Sequence, residues 1–101
     1  MSSGKVVIVL YTSVPNTTAI EQNQRAVVSI IKSKGVEFIE IDGANQENKD
    51  LRSILWSTPN SKRAIYPQVF IKRQNDIYEF IGDYEEIVRL NDEKKLDSLI
   101  R

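Results

Sequence analysis

Cysteine and histidine supply most of the nucleophiles, general bases and soft metal ligands in proteins. This chain of 101 residues has Cys 0 and His 0. Disulfides, thiolate attack and sulfur-bound metals are therefore excluded, and the one base that titrates near neutral pH is missing. What remains is hydroxyls, carboxylates, lysines and arginines, and a few places gather them. Residues 12–18, TSVPNTT, present Ser13, Thr17 and Thr18 at a helix start. A serine there can hydrogen-bond a ligand, but as a nucleophile it needs a base that the chain lacks. Lys62-Arg63 precedes Tyr66-Pro67, and arginine's planar fork suits a ligand carboxylate, although a basic pair in a polar loop is usually just solvated. Gly82-Asp83 opens a helix whose free N–H groups suit an anion. Asp83 as N-cap takes those N–H bonds itself, and Glu85 and Glu86 repel a carboxylate, so the residues favour capping. None of these sets has the composition of a catalytic or metal centre, and neither is expected.

The elements that must position these groups follow from periodicity. Residues 5–11, KVVIVLY, have no polar alternation, so they predict a strand covered on both faces and central to the sheet. Thr18-Ala19-Ile20-Glu21 matches a capping box, and Ile20, Val27, Val28, Ile30 and Ile31 recur at helical spacing up to Gly35. Residues 36–42, VEFIEID, read as a second strand, parallel to the first through a right-handed crossover. Asn45 caps a helix over residues 46–56, with Leu51, Ile54 and Leu55 as its buried stripe and Trp56 finishing that face. A polar and mobile connector, residues 57–66, leads to strands over 68–72 and 77–81 around a polar turn. Gly82 is expected to break the last strand. Asp83 and Glu86 then open a helix that Asn91-Asp92 interrupt before a last turn through Leu96, Leu99 and Ile100. The order β-α-β-α-β-β-α, a parallel half and a hairpin half, is the thioredoxin-type layout.

Composition narrows the class. One domain over residues 1–101 is expected at this length. Lys+Arg and Asp+Glu are both 14, so no net field draws the chain to nucleic acid or an anionic membrane. No apolar stretch approaches the roughly 20 residues that span a bilayer. The start MSSGK lacks a signal peptide's apolar region, which predicts a cytoplasmic protein.

Several segments resemble glutaredoxins. Residues 66–71, YPQVFI, resemble the segment around their cis-proline, and residues 80–86, FIGDYEE, resemble the glycine-acidic turn after their hairpin. Residues 32–38, with Ile41-Asp42, resemble the end of their first helix and second strand. The C-x-x-C or C-x-x-S motif of a glutaredoxin is absent. The SH3-domain-binding glutamic-acid-rich-like proteins, a cysteine-free branch, are more similar. Tyr11, Ser13, Thr18-Ala19-Ile20, Gln24, Asn45, Glu47-Asn48, Pro67-Gln68-Val69-Phe70 and Gly82-Asp83-Tyr84 match their pattern in order.

This resemblance implies an α/β, thioredoxin-like (glutaredoxin-type) fold, a four-stranded mixed sheet flanked by helices, with a cis Tyr66-Pro67 bond. It further implies a redox-inactive, non-enzymatic module that binds proteins in the cytoplasm. A vestigial ligand groove would involve Ser13, Arg63, Tyr66, Pro67, Gly82 and Asp83. The alternative is a glutathione-binding or glutathione-transferase-like protein in which Ser13 or Tyr11 holds the thiol. No cofactor other than glutathione is in view. The SH3 ligand that names the branch is a proline-rich stretch before the third strand. Here that stretch is Ala64-Ile65-Tyr66-Pro67-Gln68, with no P-x-x-P to fill adjacent aromatic grooves, so SH3 binding is not expected.

Overall fold

A computed structural model describes residues 4–101. The unbroken aliphatic run forms β1, Val6–Tyr11, buried from Val7 through Leu10. It lies inside the sheet, parallel to β2 (Phe38–Asp42) on one side and antiparallel to β3 (Gln68–Lys72) on the other. β4, Tyr78–Asp83, pairs with β3 at the far edge, so the order is β2-β1-β3-β4. This is the expected mixed sheet flanked by helices, and it is compatible with a thioredoxin-like fold.

Alternate residues of a strand point to opposite faces, so a central strand needs two coverings. On one face Val7, Val9, Val69 and Ile71 pack against α1 (Thr18–Ser33), α3 (Tyr84–Asp92) and α4 (Leu96–Ile100) through Val27, Ile31, Ile87, Leu96 and Ile100. On the other, Ile8, Leu10 and Phe70 meet Leu55 of α2 (Lys49–Trp56). Burying each such side chain contributes roughly 1.5–3 kcal/mol. The first face is therefore the stronger half, and α2 covers the weaker one.

Local chemistry moves several expected boundaries. The α1 cap is Thr17, whose hydroxyl accepts from the Ile20 N–H, so the box read at Thr18 does not form. Gly35, at φ +68, supplies the left-handed stop. Asn45 does cap, but it caps the short 3-10 turn Gln46–Asn48, and α2 begins only at Lys49. Ile54 is 49% exposed rather than buried, and Leu99 is 38% exposed. Gly82 does not break β4. It lies within the strand opposite Val69, beside a register shift between Val69 and Phe70. Asp83 then caps α3 as expected, with a complete capping box to Glu86.

Candidate functional site

The loop after β1 is held by its neighbours as well as by its own Thr12 hydroxyl, which accepts from the Val14 N–H at 3.2 Å. Gln24, buried in α1, accepts from the Thr12 N–H (2.8 Å) and donates to the Thr12 carbonyl (3.2 Å). The Ser13 N–H donates to Asp42 Oδ1 at 3.0 Å. Asp42 also accepts from the Ala44 N–H, and its carbonyl accepts from the Asn48 side chain. Burial alone would raise the Asp42 pKa. The bonds from Ser13 and Ala44 more than offset that and hold it below the usual carboxylate value.

The connector before β3 is anchored as well. Gln68 is fully buried, and its side-chain amide donates to the Lys62 and Ile65 carbonyls while its oxygen accepts from the Lys62 N–H. Ser61 donates to the Trp56 and Thr58 carbonyls, and Thr58 donates to Ile54. The stretch expected to be a mobile connector is tied to the end of α2 and to β3 by side-chain bonds to its backbone. Its last peptide, Tyr66-Pro67, is cis.

A hollow of about 180 Å³ opens beside that peptide, lined by Asn23, Ile65, Tyr66, Pro67, Asp83, Tyr84 and Glu85. Of the residues singled out from sequence, Tyr66, Pro67 and Asp83 meet here, and Gly82 lies buried next to Asp83. Ser13 is tethered to Asp42 instead, and Arg63 turns toward Trp56. Asn23, Ile65 and Tyr84 were not anticipated. Asn23 sits on the polar side of α1, where no sequence pattern separates a lining residue from a solvated one.

Asp83 itself occupies the α3 start where a ligand anion would bind. One oxygen accepts the Glu86 N–H at 3.1 Å, and the other meets Lys62 Nζ at 2.6 Å. Lys62 also lies 3.6 Å from Glu86. Burial would lift the Asp83 pKa, but these bonds outweigh it and hold it below the ordinary value. The α3 N-terminus is thus closed from within and ringed by acid.

A second cluster adjoins the hollow through Tyr66. Its ring centre lies 6.2 Å from that of Trp56, and the Arg52 and Arg63 guanidinium carbons lie 5.0 and 5.7 Å from the indole centre. Arg52 donates to the Gly43 carbonyl at 2.7 Å. Burial is the main cause of a raised Tyr66 pKa, which the Arg52 charge opposes and Asp42 reinforces. Trp56 thus closes no simple core. Its contacts combine partial packing against the second core cluster with two cation–π contacts. Tyr11 lies elsewhere, in a broader concavity of about 450 Å³ between α1 and β2 that also holds Arg25, Lys32 and Glu40. Burial, then Asp42 and Glu40, raise its pKa.

Among the described residues no helix is long and apolar enough to cross a membrane. They also contain no group of three or more acidic residues placed to hold a metal ion. The model of the SH3-binding, glutamic acid-rich protein family matches residues 5–101. The chain belongs to that family. Among curated proteins no sequence matches. Among solved structures, the C. albicans actin interacting protein Aip5 is similar at a TM-score of 0.68 and 20% identity, covering 95% of this chain and 88% of that one. A structure described as actin interacting protein 5, wild type, is similar at a TM-score of 0.66 and 22% identity, covering 100% and 97%. At these identities the likeness is one of fold. This member of the family has a hollow at its cis-proline, and the chain has no thiol to face it.

Proposed function

We propose that this chain is a non-catalytic protein-interaction module of the cytoplasm, and that a partner segment docks at the rim of the cis-proline hollow. One observation carries the reading. The hollow has shape and an exposed apolar wall, Ile65 at 44% exposure, while its one carboxylate with a perturbed pKa is consumed by a cap and an ion pair. A surface of that kind can bind, and among the described residues it offers no activated nucleophile for a reaction. Family membership supports a protein partner. The two structural neighbours are named for actin interaction, so actin is the first partner to try.

The experiment compares wild type with Ile65→Asp, which places a charge on the exposed wall without touching the core. Affinity capture from the native cell, with an actin co-sedimentation arm, should lose its specific partner in the variant. Equal capture by both proteins refutes docking at this rim. The competing reading places glutathione in the same hollow. Millimolar glutathione would then give saturating shifts of the Tyr66, Val69 and Asp83 amides, whereas the module reading expects none. A glutathione-disulfide reduction assay should show no turnover above buffer.

A further inference from the structure

We propose that Arg52, Arg63 and Trp56 form a receptor for an acidic side chain of the partner protein. It rests on the reading that a partner segment crosses the adjoining rim. The two guanidiniums share one indole, at 5.0 and 5.7 Å, and among the described residues neither has a carboxylate partner. Two donors of the cluster, Trp56 Nε1 and Arg52 Nε, are buried with no acceptor. Buried donors in a folded protein normally find one, and a donor left without an acceptor forfeits the bond it made to water. The cluster therefore holds two guanidiniums without a carboxylate and two donors without an acceptor. Arg63 is exposed and free to swing onto a ligand, while Arg52 is fixed by its bond to the Gly43 carbonyl.

The charge arrangement selects the anion. Beyond Tyr66, the far side of the hollow is acidic on balance, with Asp83 and Glu85 in its wall and Glu86 behind them against the ammonium of Lys62. A polyanion such as nucleic acid would meet repulsion there and would lack the basic stripe it needs. A single carboxylate, on a segment whose other end is neutral or basic, matches both ends. Arginine, tryptophan and tyrosine are also the residue types that dominate binding energy at protein interfaces.

The chain contains Trp 1, so Trp56 reports on this site alone. The full chain is titrated with a short, terminally blocked peptide carrying one Glu and one Lys, and with its Glu→Gln twin. Indole fluorescence, the indole N–H resonance and the backbone amides are followed. The Glu peptide should move the indole N–H and bind about tenfold or more tightly than the twin. Arg63→Gln should abolish that preference. Lys32→Gln removes the same charge from the helix on the opposite face of the sheet, and it should leave the preference intact. If the twins bind equally with the indole unmoved, the receptor is refuted; amide shifts at Asp83 and Tyr84 would then still leave the rim reading standing. Binding by neither peptide at millimolar concentration refutes the receptor, while the rim reading stands or falls on the Ile65→Asp capture. A short oligonucleotide or inorganic phosphate that binds through the indole as tightly as the Glu peptide also overturns the assignment.

Discussion

Asp83 shows how one residue can close a site and hold a fold together. Its carboxylate serves the α3 cap and the Lys62 ammonium at once, and both partners keep it ionised below its ordinary value of 3.8. A group whose folded pKa is depressed contributes stability above the unfolded pKa and loses it as pH falls through the folded value. The Lys62 pKa is raised from 10.5, chiefly by Asp83, so its share is complete below that value and is lost only as pH climbs through the raised one. Between these limits the pair is intact. Asp83→Asn keeps a good cap but removes the charge, so denaturant midpoints of variant and wild type should converge as pH falls below 3.8. Asp83→Ala should cost about 1 kcal/mol more than Asp83→Asn near neutrality. A gap between wild type and Asp83→Asn that does not change on acidification would show that the charge does not stabilise the fold.

At the scale of elements, what the sequence reveals depends on how local the cause is. The central strand was legible because an aliphatic run has one interpretation, and the α3 cap because Asp83 and Glu86 are neighbours. Thr17 and Thr18 are both able to cap, and only the chain's approach from β1 chooses Thr17. Gly82 continues the strand against expectation because a glycine that permits close approach and a glycine that breaks a strand read alike in sequence. A Cβ there would lie 2.8 Å from the Glu86 Cβ, so glycine is needed where α3 folds back against β4, and the strand continues through it. Gly82→Ala should therefore cost about 1–3 kcal/mol by chemical denaturation, since β4 and α3 must separate. A change under about 0.5 kcal/mol would mean that the helix start shifts freely. The arginine–tryptophan cluster was half visible, for Arg52 and Trp56 have the i, i+4 spacing of one helical face. Arg63 and Tyr66 join them only through the Gln68 bonds and the packing of the connector, which no local pattern announces.

Across the whole molecule, stability and binding are divided between the two faces of the sheet. Three helices bury the larger core on one face, while α2 closes the other with Leu55 and the partly buried Leu51 and Trp56, joined by Tyr66 of the connector. The residue before α2, Asn48, makes no side-chain cap bond to it, so the helix begins without that support. Its C-terminal end is coupled by Ser57, Thr58 and Ser61 to the connector that carries Arg63. Local opening follows such units and begins where buried apolar contact is least. The α2 amides, together with those of residues 57–66, should exchange hydrogen through a sub-global opening well before those of β1, β3 and α1. Arg52, Trp56 and Arg63 all lie on this unit, so an acidic peptide that binds them must stabilise it in proportion to its occupancy. Native-state hydrogen exchange with and without the Glu peptide measures this directly, and the added protection should be confined to α2 and residues 57–66. If α2 exchanges only by global unfolding, the two faces form one cooperative whole and the weaker half inferred from its core does not exist as a separate unit.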